Sequence, residues 1–190
     1  MVKFSIVCSS NQNRSMAAHA LFKQRGLSVS SYGTGSKVRL PGPSIHQPKV
    51  YDFEIPYDIM YQELRATNQR LYTDNGVLEL LERNRSVKLA PERFQDAKER
   101  HEIIITCEER CFDAVCEDII LKNGSANLAV HIINIEIMDT IEDSAEGSKL
   151  ILNLALKIQN LSDLSSEIEP LLERFQSFGM RKILHTVALT

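Results

Sequence analysis

The sequence has no surplus of basic residues: 22 lysines and arginines face 25 aspartates and glutamates, for a formal net charge of −3 at pH 7. Without a basic stripe, direct nucleic-acid binding is disfavoured, although a local pocket for a single phosphate is still allowed. No apolar run reaches the length of a membrane span, and the N-terminus lacks the charged start and long apolar stretch of a secretory signal. The chain is therefore expected inside the cell and off the membrane. Cysteine is scarce as well. Cys8, Cys107, Cys111 and Cys116 are the only four, too few for the disulfide framework of a small secreted scaffold, so free thiols are expected. Cys107, Cys111 and Cys116 lack a C-x-x-C knuckle, and His101 is the only histidine close to them, so no zinc set is complete. No metal and no cofactor is expected.

What is present is a chain of 190 residues, 43% of them hydrophobic, long enough to bury one substantial core. A single domain over residues 1–190 is expected. Lys3 to Val7 reads as a strand, Met16 to Gly26 as a helix stopped by glycine, and Ser28 to Tyr32 as a second strand ending in Gly33-Thr34-Gly35. Residues 36 to 55, with Leu40-Pro41-Gly42-Pro43 and Gln47-Pro48, read as a long irregular loop. Helical patterns follow over Tyr57 to Arg83 and, more briefly, over Pro91 to Lys98. The region of about 36–82 looks like an inserted lid.

His101 to Thr106 holds consecutive branched aliphatics with no alternation, the mark of a parallel strand covered on both faces. Thr106 with Glu109 predicts a capping box for a helix running through Leu121 and stopped by Asn123-Gly124. A strand is expected over Val130 to Ile137 and a helix over Ile141 to Asn160. Ser166 with Glu169 predicts a second box, placing Pro170 in the first turn of the last helix, and Lys182 to Leu189 closes as a strand. Strands separated by helices predict an α/β fold: a three-layer, doubly wound, mostly parallel sheet, with its crevice at the carboxyl ends of the strands.

The first strand exits into Val7-Cys8-Ser9-Ser10-Asn11-Gln12-Asn13-Arg14-Ser15-Met16. Small polar residues there can turn their backbone N–H groups inward and form an anion nest at a helix N-terminus. Ser9, Ser10, Asn11, Gln12 and Asn13 would then hold a phosphate. The amides, the helix dipole and the Arg14 guanidinium would favour the thiolate of Cys8, a nucleophile, while the planar fork of Arg14 could grip two phosphoryl oxygens. Ser15 is placed to donate a hydrogen bond to the sulfur. In isolation Cys-x5-Arg-Ser is a weak signal, and a buried thiol beside a surface arginine is its plain alternative. Its place between a first strand and a first helix favours function.

The stretch from Cys8 to Met16 resembles the phosphate loop of cysteine-dependent phosphatases of the low-molecular-weight tyrosine phosphatase fold. The resemblance extends to Tyr32-Gly33-Thr34-Gly35, Leu40-Pro41-Gly42-Pro43, Val50-Tyr51-Asp52-Phe53, Tyr72-Thr73 with Asn75-Gly76, Pro91 to Gln95, Thr106 to Arg110 and Leu184 to Val187. Together these are similar to the phosphatase family of the RNA polymerase II C-terminal domain, which acts in transcription and mRNA 3′-end processing. That resemblance implies a nuclear protein phosphatase, with the cytoplasm a second location. Its substrate would be the serine at heptad position five, and seven, of the polymerase tail, taken as a cis phosphoserine-proline bond. It further implies a symplekin-type scaffold within the cleavage and polyadenylation machinery as partner. Met16, Thr34, Arg39, Leu40, Pro41 and Tyr72 match positions of the family's peptide groove, and Asp139 matches its general acid, with Glu136 and Asp143 as neighbouring carboxylates of structural role. The chain departs from the family at Ala17, where a glutamate is usual, at Ser148-Lys149, and at Ala188-Leu189-Thr190. Three other readings stay open: a phosphotyrosine phosphatase of the same fold, an arsenate reductase using Cys107 or Cys111 against Cys8, and a phosphopeptide-binding or scaffold-docking module with little turnover.

Overall fold

In the computed structural model, residues 1–44, 46–122, 128–178 and 181–190 are described. Alternation explains the run of isoleucines. Successive residues of a strand point to opposite faces, so Ile103 and Ile105 of β5 (Ile103–Thr106) enter one core while Ile104 enters another. The same split occurs in β1 (Phe4–Cys8), where Phe4, Ile6 and Cys8 face one way and Val7 the other. Strands apolar on both faces require cover on both sides, and helices supply it.

The sheet has five strands in the order β2-β1-β5-β6-β7, with β2 spanning Val29–Gly33, β6 Ala129–Ile135 and β7 Ile183–Leu189. β1, β2, β5 and β6 pair in parallel, and β7 runs antiparallel to β6 at the edge. On one face α1 (Arg14–Gln24), α5 (Ile141–Gln159) and α6 (Leu164–Phe178) bury Phe22, Ile151, Leu154, Ile158 and Ile168 against the sheet. On the other, α4 (Glu109–Lys122) buries Val115 and Ile119. Each such side chain contributes about 1.5–3 kcal/mol of burial. From β1 the chain crosses to β2 on one side and later to β5 on the other, so the order reverses at β1. A doubly wound sheet opens its crevice at such a reversal, next to the carboxyl end of β1.

Residues 36 to 55 are not irregular throughout. Val38–Leu40 (β3) and Lys49–Tyr51 (β4) pair antiparallel as a hairpin across the proline-rich stretch. α2 (Tyr57–Asp74) and α3 (Val77–Val87) follow, separated at Gly76, which adopts φ 77°. Hairpin and helices share a cluster of their own, with Val38, Leu40, Tyr57, Met60, Leu64, Tyr72 and Leu81 at its centre and Met16 of α1 plugged into it. Pro91 to Lys98 forms only a short 3-10 turn over Phe94–Asp96.

Both expected capping boxes fail for one reason: the capping side chains bind elsewhere. Thr106 is fully buried as the last residue of β5, its hydroxyl donates to Asn134 Oδ1 at 2.8 Å, and Glu136 accepts the Glu109 amide at 3.2 Å. At α6 the cap sits at Asp163, whose Oδ1 accepts the Ser165 amide at 3.0 Å, while Glu167 accepts the amides of Ser162 and Asp163. Pro170 therefore lies inside the helix rather than in its first turn. The Asn123-Gly124 stop expected after α4 lies outside the described residues.

Candidate active site

Cys8 ends β1 where the chain leaves the sheet, and Arg14 opens α1. The loop between them is held inside the protein, with Asn11 at 0% and Asn13 at 4% exposure. Its turn is made at Asn11, with φ 50°, in the left-handed region that asparagine tolerates better than most residues. The Asn11 side chain locks that turn: Nδ2 donates to the hydroxyls of Ser15 at 3.0 Å and Ser31 at 3.1 Å, and Oδ1 accepts the Glu92 amide at 3.0 Å.

The loop carbonyls turn outward to donors on other elements. Cys8 O accepts the Thr34 amide at 3.0 Å and Ser9 O the Gly35 amide at 2.9 Å. The Tyr57 hydroxyl donates to Asn11 O, and Asn84 Nδ2 donates to Gln12 O at 2.7 Å. In a planar trans peptide the C=O and the following N–H point in opposite directions. The amides of Ser9, Ser10, Gln12 and Asn13 therefore face inward, the geometry of an anion nest. Asn13, the N-cap of α1, makes no side-chain cap bond, so the first-turn amides of that helix remain free for an anion. Gly33 allows the close approach: a Cβ there would stand 2.7 Å from Ser9 O and 3.0 Å from Asn11 N.

Around this nest the reactive groups converge. Cys8 Sγ, 2% exposed, lies 3.1 Å from Ser15 Oγ. Arg14 donates through Nη1 to Ile137 O at 3.0 Å and Glu108 at 3.2 Å. Its buried Nε makes no hydrogen bond and stands 3.6 Å from Asp139 Oδ1. Burial by itself would lower the Arg14 pKa, but the charges of Cys8 and Asp139 and the bond to Glu108 overrule it and raise the pKa above the ordinary value. Asp139 follows β6, accepts from Asn13 Nδ2 at 2.9 Å and keeps its side chain half exposed. Thr140 beside it caps α5, its hydroxyl accepting the Asp143 amide at 3.1 Å, which fixes the backbone next to Asp139. Glu136 accepts the Glu109 and Asn134 groups, and Asp143 pairs with Arg181, so both neighbouring carboxylates are engaged away from the nest.

A cavity of about 590 Å³ leads from Gln12, Asn13 and Asp139 along Arg39, Leu40 and Pro41 on one wall and Leu80 and Ile141 on the other. Of the groove positions expected from sequence, Arg39, Leu40 and Pro41 line this cavity. Met16 and Tyr72 do not: at 0% and 1% exposure they belong to the core beneath the hairpin and support the groove without facing it. Thr34 stands on the opposite flank of the loop, its hydroxyl 3.2 Å from Cys111 Sγ. Burial pushes the Cys107 and Cys111 thiols up, which makes them poor attackers of a neighbouring sulfur. Among the described residues, no group of three or more His, Cys, Asp or Glu side chains is placed to hold a metal ion.

Sequence reasoning singled out the loop and Asp139, which the structure brings together, but missed groups that hold the loop: Tyr57, Asn84, Ser31, Glu92 and Glu108. They sit far along the chain, and although Glu92 and Glu108 fall in stretches that carry the resemblance, nothing in their spacing ties them to the loop. Asn84 alone left a trace, since it lies on the stripe of α3 that also carries Val77, Leu80 and Leu81, and it is fully buried there. An asparagine on an apolar stripe must find partners.

The family model described as Ssu72-like protein matches residues 2–190. A fission-yeast protein (Schizosaccharomyces pombe) named as the RNA polymerase II C-terminal domain phosphatase ssu72 is 49% identical over 93% of this chain and 90% of its own length. The human protein of that name is 45% identical over 98% of this chain and 96% of its own. Among solved structures, the Drosophila melanogaster serine phosphatase of the RNA polymerase II C-terminal domain superposes with a TM-score of 0.98 at 39% identity, covering 100% of both chains. Drosophila Ssu72 with symplekin, bound to a cis peptidomimetic phospho-Ser5 peptide, superposes with a TM-score of 0.96 at 38% identity, covering 100% of this chain and 98% of the other.

Proposed function

The chain belongs to the Ssu72-like family, and from that premise we propose that it is a protein-serine phosphatase of the RNA polymerase II C-terminal tail. It removes phosphate from the serine at heptad position five, and seven, and takes the following proline in the cis form. It works in the nucleus, in transcription and mRNA 3′-end processing, docked on a symplekin-type scaffold. The observation that carries this reading is the convergence of Cys8, Arg14 Nε and Asp139 on one set of inward amides.

Cys8 sulfur attacks phosphorus in line with the serine oxygen; the S–P bond forms as the P–O bond breaks, and Asp139 delivers the proton that turns the leaving oxygen into a hydroxyl. Charge on the transferring phosphoryl meets the amides of residues 9 to 13 and the free edge of Arg14, which surrenders its loose 3.6 Å contact with Asp139. Water then attacks the thiophosphate, Asp139 takes its proton, and the Ser15 hydroxyl, 3.1 Å from the sulfur, stabilises the thiolate that departs. Phosphate leaves and the enzyme is restored.

Phosphate release from phospho-Ser5 heptad peptides tests the proposal. Cys8→Ser abolishes turnover, and Asp139→Asn slows it by about 10²- to 10⁴-fold on a serine leaving group. Wild type no faster than Cys8→Ser would refute it. Under enzyme excess, the cis requirement predicts a fast phase from the cis fraction and a slow phase that a prolyl isomerase accelerates.

A further inference from the structure

The outward carbonyls of the loop need donors, and one of those donors carries a charge. Arg83, on α3, donates through Nη2 to Gln12 O at 3.0 Å and Asn13 O at 3.2 Å, and through Nε and Nη2 to Asn84 Oδ1 at 3.1 and 2.9 Å. Asn84 in turn donates to Gln12 O. No carboxylate among the described residues lies within ion-pair distance of this half-buried guanidinium, whose donors go to backbone and amide oxygens instead. Burial lowers its pKa to about 10, against the pull of Tyr57, Cys8 and Glu79. Its other side borders a cavity of about 340 Å³ shared with Ala17, Glu79, Ser148 and Lys149, where Glu79, one turn back on α3, faces it without a direct ion pair.

We propose that Arg83 is a positioning residue for the phosphate loop: it holds the peptide units 12–13 and 13–14 with their amides turned inward and lends the nest a positive charge that no direct ion pair takes up. The inference rests on the reading of the loop as a phosphatase site. Its physical basis is twofold. A donor bridging two successive carbonyls fixes the orientation of both peptide planes, and a cation behind them adds to the partial charges of the amides in a site where screening by water is weak. Because Arg83 rides on α3 beyond the hairpin, any displacement of that helix loosens the loop that holds the reacting phosphate.

The test uses Arg83→Lys, Arg83→Gln and Arg83→Met in the full chain. Readouts are the pH midpoint of Cys8 alkylation by iodoacetamide, inhibition by inorganic phosphate, and the kcat and KM for an aryl phosphate. Loss of the cation in Arg83→Gln and Arg83→Met moves the alkylation midpoint up by about half a pH unit or more and weakens phosphate inhibition about three- to tenfold. Arg83→Lys keeps the charge, loses the two-carbonyl bridge, and leaves the midpoint near wild type while kcat falls. If Arg83→Met does not fold, Arg83→Gln, which keeps an amide donor, decides the outcome. Midpoint and phosphate inhibition at wild-type values in a folded Arg83→Gln would overturn the inference. An inactive wild type would instead overturn the phosphatase reading, which keeps the two failures apart.

Discussion

At Asn11 a left-handed backbone, φ 50°, coexists with hydrogen bonds to Ser15, Ser31 and Glu92. Replacing it with alanine leaves the Glu92 amide without its partner, takes one donor from each of the Ser15 and Ser31 hydroxyls, and puts a residue that tolerates the left-handed region less well than asparagine at this turn. Each buried group left unpaired costs about 1–3 kcal/mol. Urea unfolding of Asn11→Ala is expected to show a loss of at least about 2 kcal/mol; Asn11→Gly, which relieves the strain but not the lost bonds, should recover only part of it. His19 offers a second test at this scale. Burial, with Lys88 and Lys23 adding repulsion, lowers its pKa from 6.5 to about 4. Below about pH 6.5 the unfolded chain takes up a proton that the folded chain refuses, so the stability due to a neutral His19 is complete above that pH. It is lost as pH falls towards 4, by about 3 kcal/mol in total. His19→Asn should flatten the stability profile between pH 7 and pH 4.5 relative to wild type, and an unchanged profile would contradict the assignment.

At the scale of elements, the seam between the end of β2 and the phosphate loop is set by one missing side chain. Gly33→Ala drives a Cβ against Ser9 O at 2.7 Å, a backbone atom that cannot swing aside, so the loop must move. The expected result is a folded protein whose kcat/KM falls at least about tenfold, since reacting groups displaced by an ångström lose up to about 10²-fold. α6 makes the opposite case. Pro170 in its interior strips the Ser166 carbonyl of its helical donor and serves no site contact. Pro170→Ala should stabilise the protein by up to about 3 kcal/mol, read as a rise in Tm of several degrees. These elements also show where local patterns mislead. Ser/Thr-x-x-Glu spacing predicted caps at Thr106 and Ser166, but Thr106 was claimed by Asn134 across the sheet and Ser166 by Asp163 just before it. The β3–β4 hairpin escaped because its three-residue strands are too short to show a period.

For the whole molecule, folding and the assembly of the Cys8–Arg14 loop are one step. The loop receives donors from the residues just after β2, from α2 and α3, and from the segment after α3, which come together only in the folded chain. Inorganic phosphate at about one hundred times its Kd should therefore stabilise the protein by about 2.7 kcal/mol, and Tm should rise by about 5–10 °C. The same phosphate should leave the Tm of Arg14→Ala nearly unmoved, and an equal rise in both would refute the loop as the binding site.

What could be read from the sequence was what neighbours along the chain dictate: strands apolar on both faces, the strand–loop–helix around Cys8 and Arg14, and the helical stripe of α5. Each is a short-range pattern of residue types, and backbone sterics and burial translate such patterns locally. Which side chains hold the loop carbonyls, that Met16 and Tyr72 lie under the groove and not in it, and that Arg83 turns its donors to the carbonyls of Gln12 and Asn13 were decided only by tertiary structure. Gln12 and Asn84 meet across 72 positions of sequence, and Asn13 and Asp139 across 126. No periodicity carries information over such separations; only the closing of α3 and α5 around the end of β1 brings a buried carbonyl to its donor.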